Sequence, residues 1–360
     1  MTLEKYKEIC SYLSGVIENT RWEGHVFTVG GCIRDAVMGN EINDIDLAVT
    51  VADGGVKFAE WLHEKGLTYG EPVYFRRFST SRFILRRFPD EEIEAVQTRR
   101  EQYTNANSRN PEVVFGTLEE DCFRRDLTIN SLVENVATGE IIDYTGHGLS
   151  DIEHHRIRTP LDADETFRDD PLRILRTIRF AVRYGWDIPK EIMEAMAANA
   201  LRLKIIRKER LAAEFEKTLT GPHPEKAFEL LKKIGAIPKL IPELCHTFRK
   251  KMTPGEENGK TIWAVTMERL KKSASDAPHR YAALFSEMHR ISLPYPDLLE
   301  KEKKKIRRSQ GRDAIVNISL RRLHYDARFI KRVKKLLPPM SKQQSPAAKK
   351  AGAKKQKSNK

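Results

Sequence analysis

Apolar residues follow two different spacings along the chain, and the first 150 residues predict a helix followed by a small mixed sheet. Between residues 3 and 19 apolar side chains recur every three to four positions, which is typical of one amphipathic helix. The runs VFTVG and DIDLAVT then predict strands, and GCIRDAVMG and VKFAEWLHEKG predict helices that end at Gly39 and Gly66. Further strand-type runs occur at VYFRRF, SRFILRRF and EEIEAVQT.

Helical spacing replaces the strand pattern beyond position 165. The segments DDPLRILRTIRFAVRYG, IPKEIMEAMAANALRL, KERLAAEFEKTLTG and HPEKAFELLKKIG predict successive helices, with Pro near their starts and Gly near several ends. The stretch MTPGEENGK predicts a long loop or linker, and helical patterns then continue to about Leu337. We therefore predict an α+β fold, with a small mixed β-sheet first and an all-helical remainder, divided into residues 1–150, 151–250, 261–337 and 338–360.

Charge is distributed unevenly along the 360 residues, which carry a formal net charge of +13. Residues 301–360 contain 21 Lys or Arg and 3 Asp or Glu, so residues 1–300 are mildly acidic at −5. A cationic end suits the binding of RNA, because contacts with phosphates release counterions. The alternative is a solvated tail that only aids solubility. The last twenty residues contain no aromatic or large aliphatic side chain, which predicts disorder there.

Several classes of protein are excluded or disfavoured by the composition. No run of eighteen apolar residues occurs, which excludes an ordinary transmembrane helix. The first residues lack the apolar block and cleavage site of a secretory signal, so we expect a cytoplasmic protein that does not bind a membrane. The four cysteines form no CxxC pair and are interpreted as free thiols.

The sharpest chemical signal is the segment VGGCIRDAVMGNEINDIDLAVT at residues 29–50. Side chains two positions apart on a strand point to the same face, so Asp44 and Asp46 should lie together while Ile45 and Leu47 point into the core. Two carboxylates on one face repel each other, and Mg²⁺ is held by such carboxylates together with nucleotide phosphates. A DxD pair on an exposed strand can also be only a solvated face.

Three further residues extend this candidate site. Gly30 and Gly31 lack side chains, so backbone amides there can approach phosphate oxygens, and the following helix would present its N-terminal end to them. Glu94, in the strand-type run EEIEAVQT, is the best candidate for a third acid that completes a two-metal site. An ordinary exposed strand glutamate is the alternative for Glu94.

The sequence resembles the class II tRNA nucleotidyltransferases, which are CCA-adding enzymes, and the related bacterial poly(A) polymerases. VGGCIRDAVMG followed by DIDLA is similar to the head signature of that family. Residues 98–132 are similar to its second block, an arginine-rich loop that leads into RRDLTINSL, with Leu127 in place of Phe and Ser131 in place of Ala. GEIIDYTGHGLSDIEHHRIRTP and FRDDPLRILRTIRFAVRYGW resemble two further blocks, so the similarity extends from Val26 to Leu244.

The resemblance implies a nucleotidyltransferase head followed by a helical neck, body and tail, with Mg²⁺ as the cofactor. Its implied partners are a tRNA or other RNA 3′ end, CTP and ATP, with no partner protein. In the family, the aspartates matching Asp44 and Asp46 hold the metals, and the acid matching Glu94 assists in activating the attacking hydroxyl. The remaining implied nucleotide-binding residues are Gly30, Gly31, Arg34, Asp35, Arg125, Asp126, Asn130, Asp170, Arg173, Arg176 and Arg179.

Asp170 and Arg173 are the implied base-reading pair, because positions i and i+3 share one face of a helix. A carboxylate accepts from the amino group of cytosine or adenine, and a guanidinium donates to ring acceptors. A salt bridge on a solvated helix is the alternative. Many relatives carry a His-Asp metal pair further along the chain, whereas Ser286 and Glu287 stand here, so we infer no second metal site.

Three functions remain open at this point. CCA addition to tRNA is the main prediction, because an arginine-containing loop before RRDLTIN accompanies the switch from C to A addition in the family. Poly(A) addition is the second, since lysine-rich tails also occur in poly(A) polymerases. A catalytically silent RNA-binding protein is the third, with the basic region 301–337 as its RNA-binding end.

Overall fold

The computed structural model describes residues 1–102, 112–252, 259–291 and 312–338. The chain forms two compact units. The first contains Met1–Arg173 and Trp186–Met196, and the second contains Ile174–Gly185 and the chain from Ala197 onward. The predicted tail and the central part of the predicted loop, residues 339–360 and 253–258, lie outside the described residues, as do residues 301–311 of the basic region.

The first unit is built on a mixed sheet of seven strands in the order β3-β4-β5-β2-β1-β8-β9. Strands β2 and β5 run parallel, and the other neighbours run antiparallel. The seven strands are β1 (Val26–Val29), β2 (Ile45–Val49), β3 (Val73–Phe75), β4 (Thr80–Ile84), β5 (Glu92–Gln97), β8 (Val133–Asn135) and β9 (Ile141–Ile142). A separate antiparallel pair consists of β6 (Arg99–Gln102) and β7 (Glu112–Phe115).

Helices cover the two faces of this sheet unequally. One face packs against α3, whose Phe58 meets Trp22 edge to face at 5.2 Å, and against α1, whose Tyr6 hydrogen-bonds Thr28 of β1. The other face is covered over β1 and β8 by α4, whose Leu118 and Cys122 pack on Phe27. The helices of this unit are α1 (Leu3–Ile17), α2 (Gly31–Val37), α3 (Gly54–Glu64), α4 (Leu118–Phe123), α5 (Gly148–Glu153) and α6 (Ala163–Asp169).

The close fit of α3 on the sheet depends on Gly55. A Cβ at this position would lie 2.3 Å from the carbonyl oxygen of Ser79 and 2.5 Å from that of Ala95. Because Gly55 has no side chain, the helix backbone can approach β4 and β5 directly. The helix thereby fixes the two strands from below, and their opposite face is left to carry polar side chains.

The second unit is helical in its described part, with one isolated backbone bridge between Lys251 and Thr261. An aromatic cluster forms its core, with Phe215 edge to face on Phe228 at 5.6 Å and Tyr281 fully buried. The remaining helices are α7 (Leu172–Tyr184) and α8 (Lys190–Asn199), each divided between the units, and α9 (Lys208–Leu219), α10 (Pro224–Lys233), α11 (Ile237–Leu240), α12 (Ile262–Lys272), α13 (Ala277–Phe285), α14 (Arg312–Arg322) and α15 (Ala327–Leu336).

The predicted α+β fold is confirmed. The short elements α4, α5, α6, β8 and β9 were not predicted, because they have too few residues to show a period. Tyr325 and Phe329 stack at 4.1 Å, and both contact the buried Tyr281. The four cysteines are free. Within the described ranges, no helix is both long and apolar enough to cross a membrane.

Candidate active site

The acidic part of the site lies on the sheet face opposite α3. Asp46 on β2 and Glu94 on β5 are direct partners in the parallel register, so their side chains leave the sheet on the same side. Asp44 lies just before β2, two residues from Asp46, and both aspartates are exposed. Between them Ile45 is buried, as is Leu47 beyond Asp46. Asp46 therefore shares a sheet face with Glu94, and the charge of the nearby Asp44 acts on it.

The charges around Asp46 are not balanced. Its side chain reaches water, yet protein surrounds much of it, and this burial raises the pKa of Asp46. The negative charges of Glu94 and Asp44 act in the same direction, and Arg125 and Arg82 offset only part of the effect, so the pKa of Asp46 is about 6. A cation beside these carboxylates would remove the conflict.

Glu94 is held by an arginine from the next strand. Arg82 on β4 is the direct partner of Glu94, and its Nε donates to Glu94 Oε2 at 2.8 Å. Arg82 also lies 3.7 Å from Glu92. Asp46, Glu94 and Arg82 thus form one row across three adjacent strands.

The donor set suits Mg²⁺ in an open site. In the part of the chain that the structure describes, no group of three or more His, Cys, Asp or Glu is arranged to hold a metal ion. Mg²⁺ is commonly bound by one or two carboxylates, with water and substrate phosphates as its other ligands. Asp44 and Asp46 meet that requirement, whereas Glu94 is engaged by Arg82.

The glycine turn lies directly above an arginine. Gly30 has φ +77°, and a Cβ there would be 2.7 Å from Nη1 of Arg125. Its N–H donates to the carbonyl oxygen of Leu132 at 3.1 Å, and Gly31 begins α2. Only glycine accommodates both this backbone conformation and the close guanidinium. The Cys32 thiol of α2 also lies against the backbone of Asp46, so the turn and the acids are neighbours.

A buried polar network joins four more of the predicted residues. The Nε and Nη2 of Arg34 donate to the carboxylate of Asp35 at 3.0 and 2.7 Å, and its Nη1 donates to Asn130 Oδ1. Asn130 Nδ2 donates to Asp126 Oδ1 at 2.9 Å. All four residues are at most 5% exposed, so each polar atom has a fixed direction.

Sequence reasoning missed two residues of this region. Arg82 engages Glu94. The buried Asp121 of α4 accepts hydrogen bonds from Arg124 and Arg125, the arginine pair of the RRD run. A carboxylate three and four residues before an arginine pair is a signal that could have revealed Asp121. No comparable signal marked Arg82, because its contact depends on strand register.

The predicted geometry of the base-reading pair is wrong. Asp170 does not lie on a helix but follows α6 in extended conformation, and its Oδ1 accepts from the backbone N–H of Leu172 at 3.0 Å. Pro171 separates it from α7, which explains the break. The guanidinium of Arg173 donates to the carbonyl oxygens of Thr166 and Arg124.

Arg176 and Arg179 belong to the second unit, unlike the other predicted site residues. The Nε of Arg179 donates to Glu214 on α9, and its guanidinium lies 4.4 Å from the ring centre of Phe180. Arg176 lies 5.7 Å from the same ring. All of these contacts lie within the second unit.

Two family models match the chain. The poly(A) polymerase head domain matches residues 26–158, which include the acids, the glycine turn and the RRD run. A model described as a probable RNA- and SrmB-binding site of polymerase A matches residues 185–247. Both matches follow the order of the predicted blocks.

Known proteins are similar over longer stretches. The mitochondrial CCA tRNA nucleotidyltransferase of Saccharomyces cerevisiae is 38% identical over 222 residues, which cover 57% of this chain and 40% of the relative. The multifunctional CCA protein of Neisseria gonorrhoeae is 31% identical over 282 residues, 76% of this chain and 64% of the relative. The chain thus spans less than half the length of the yeast enzyme.

The fold is also found among solved structures. The Bacillus stearothermophilus CCA-adding enzyme in complex with CTP superposes with a TM-score of 0.59 at 22% sequence identity, covering 90% of this chain and 68% of that one. At this identity the likeness concerns the fold.

Proposed function

Because the chain belongs to the family of CCA-adding tRNA nucleotidyltransferases and bacterial poly(A) polymerases, we propose that it is a template-independent RNA nucleotidyltransferase. Its proposed reaction adds C and A residues to the 3′ end of tRNA from CTP and ATP. The observation that carries this proposal is the row of Asp46 and Glu94 beside a glycine turn and the partly buried Arg125. The name of the yeast relative supports tRNA as the acceptor, and the name of the Neisseria relative supports CCA as the product.

In the proposed reaction, the 3′-hydroxyl of the RNA attacks the α-phosphate, the bond from that phosphate to the β-phosphate oxygen breaks, and pyrophosphate leaves. Mg²⁺ held by Asp44 and Asp46 would neutralise phosphate charge. Arg125 supplies a fixed positive charge between the glycine turn and Asp46. Glu94 would accept the proton of the hydroxyl, once the nucleotide or RNA loosens its ion pair with Arg82.

The buried network supports the proposed nucleotide selection. Arg34, Asp35, Asp126 and Asn130 hold one another in place, so an incoming ribose and triphosphate would meet preset donors and acceptors. Asp170 and Arg173 remain the proposed base-reading residues, now through a loop acid and a helix arginine. Arg176 and Arg179 are proposed to assist from the same helix.

Poly(A) addition is the second candidate function, because the matching head-domain model carries the name of poly(A) polymerase. We propose residues 1–150 as the nucleotidyltransferase head, 151–250 as the nucleotide-reading neck and body, and 261–337 as the basic RNA-binding tail domain. A cytoplasmic location is also proposed, although the yeast relative is named as mitochondrial.

The test is to incubate the purified protein with tRNA lacking its 3′ CCA, to supply CTP and ATP singly and together, and to sequence the products. CCA addition predicts C residues with CTP alone and a complete CCA end with both. Long adenosine tracts with ATP alone would favour poly(A) addition instead.

The variant Asp46→Ala distinguishes the two enzymatic functions, CCA addition and poly(A) addition, from a silent RNA-binding protein. The variant should lose incorporation while its RNA affinity stays within a few fold. Asp90→Ala, which removes an exposed aspartate elsewhere in the first unit, is the matched control and should behave as wild type. Retained turnover in Asp46→Ala would remove the proposed role of the acidic pair.

A further inference from the structure

One fully buried carboxylate holds both arginines of the RRD run. The side chain of Asp121 is 1% exposed. Its Oδ1 accepts from Nε and Nη2 of Arg124 at 3.0 and 2.6 Å, and its Oδ2 accepts from Nη2 of Arg125 at 2.9 Å. Asp121 lies on α4, and the arginines follow three and four residues later. A carboxylate shared in this way fixes the direction of two guanidinium groups at once.

The same carboxylate also connects the arginine pair to β6, the strand that follows β5 in the chain. Asp121 Oδ1 also accepts from the backbone N–H of Arg99 at 3.2 Å, and Arg124 Nε donates to the Arg99 carbonyl oxygen at 3.2 Å. Arg99 begins β6, two residues after the end of β5, which carries Glu94. The pair is therefore anchored to the backbone beside the candidate site.

Arg125 connects this anchor to the candidate site. Its Nη1 lies beneath Gly30, where a Cβ would come within 2.7 Å, and donates to the carbonyl oxygen of Asn130 at 3.4 Å. Its positive charge acts on Asp46 and offsets part of the rise in that pKa. A shift of this guanidinium would change both the packing beneath Gly30 and the positive charge beside Asp46.

The charge arithmetic also favours a role beyond packing. Burial would raise the pKa of Asp121, yet Arg125 and Arg124 together hold it below its ordinary value, so the carboxylate is ionised. One ionised carboxylate then holds two guanidinium groups, and Arg125 keeps its positive charge between the glycine turn and Asp46. A phosphate group is the ligand chemistry that a guanidinium held in this way binds.

We propose that Asp121 is a positioning residue for nucleoside triphosphate binding, which acts by holding Arg125 under the glycine turn and Arg124 against β6. Asp121 does not touch the nucleotide itself. The backbone carbonyl of Arg124 accepts from Arg173, so the same anchor reaches a proposed base-reading arginine. This inference rests on the proposed function and specifies which buried group orients its phosphate-binding arginines.

The test compares Asp121→Asn with a matched control, Glu287→Gln. The asparagine keeps the shape of Asp121, loses its charge and presents an amide N–H₂ to one of the two arginines. Glu287 is also buried, at 2% exposure, and pairs with two arginines, Arg269 and Arg290, but it lies in the second unit. Both changes remove a buried carboxylate from two arginines, so a general loss of stability is common to the two variants.

Binding of ATP and CTP is measured by calorimetry without RNA, and KM and kcat are measured with tRNA. We expect Asp121→Asn to raise the dissociation constant and the KM of both nucleotides at least tenfold, with RNA affinity within about threefold of wild type. Glu287→Gln should leave nucleotide binding within about twofold. Unchanged nucleotide binding in Asp121→Asn, or an equal weakening in both variants, would overturn the proposal.

Arg125→Lys provides a second route if Asp121→Asn does not fold. It keeps the positive charge and loses the fork that meets Asp121, so the nucleotide KM should rise severalfold, and an unchanged KM would overturn the proposal. Calorimetry also separates the two proposals, because it measures nucleotide binding without RNA. If wild type binds ATP, Asp121→Asn weakens that binding, and wild type extends no RNA, only the proposed function is refuted.

Discussion

At the scale of single residues, the site stores an unfavourable concentration of negative charge. Asp46 is surrounded by Glu94 and Asp44, and burial and these charges raise its pKa to about 6. Two positive groups, Arg125 and Arg82, offset the charge only in part. Such an arrangement costs stability in the metal-free chain, and it is typical of sites that bind a cation together with an anionic substrate.

This imbalance predicts a pH dependence of stability in the metal-free protein. Because the pKa of Asp46 is higher in the folded chain than the ordinary value of 3.8, the folded state binds the proton more tightly, and stability is lost as the pH rises from about 4 to about 6. Asp46→Asn cannot ionise, so in EDTA its melting temperature should rise relative to wild type across this window. Added Mg²⁺ should reduce the difference at pH 7.

The control for this measurement is Asp90→Asn, an exposed aspartate in the same unit. Its melting temperature should follow that of wild type at each pH, with and without Mg²⁺. A difference between Asp46→Asn and wild type that stays constant from pH 4 to pH 7 would contradict the electrostatic account.

The candidate residues could be predicted from the sequence only where local spacing carries the information. The alternation of Ile45, Asp46 and Leu47 is a property of one strand, so it could be predicted before the fold was known. The contact between Arg82 and Glu94 joins residues twelve positions apart through the register of β4 and β5. Register is set by turns and by packing on α3, which the spacing of apolar residues does not reveal.

At the scale of elements, the register of three strands decides how charge is shared in the site. Strand β5 lies between β2 and β4, so Glu94 has the acidic Asp46 on one side and the positively charged Arg82 on the other. Arg82 thereby neutralises part of the negative charge that a metal ion would otherwise neutralise. The ion pair is about half exposed, so its contribution to stability is small.

The register predicts that removing Arg82 increases the apparent affinity for Mg²⁺. Arg82→Gln frees Glu94 and removes a positive charge from beside Asp46, so the Mg²⁺ concentration for half-maximal incorporation should fall severalfold. Stability should change by less than about 1 kcal/mol, as for other exposed ion pairs.

Arg76→Gln is the matched control, since Arg76 forms an exposed ion pair with Glu60 at 2.8 Å. It should leave the Mg²⁺ dependence unchanged. A Mg²⁺ requirement that is equal to wild type or higher in Arg82→Gln would show that Arg82 does not compete with the cation.

Element boundaries show where sequence reasoning fails physically. The pair Asp170 and Arg173 has helical spacing, but Pro171 disfavours helix in the residue before it, and Asp170 instead accepts from the N–H of Leu172 at the start of α7. The short helices α4 to α6 span six or seven residues each, less than two full helical turns. Their positions depend on capping, as at Thr117 of α4, and on tertiary contacts.

At the scale of the whole molecule, the acids, the glycine turn and the RRD run all lie in the first unit, whereas the positive charge accumulates at the other end of the chain. Residues 301–360 carry a net charge of +18, and the 300 residues before them carry −5. The proposed nucleotide chemistry and the proposed attraction for RNA thus belong to different parts of the sequence, and they should be separable by experiment.

Removing residues 338–360 tests this separation. The segment contains seven lysines and no acidic residue. If all seven contact phosphates, the slope of log binding constant against log salt concentration should become shallower by about 5, since each contact with a single strand contributes about 0.7. The KM for ATP and CTP should stay near wild type, because the proposed nucleotide-binding residues lie outside the removed segment. A full-length variant with the seven lysines replaced by glutamine separates charge from length: it should reproduce the shallower slope, and a slope equal to wild type in both variants would assign RNA attraction to other residues.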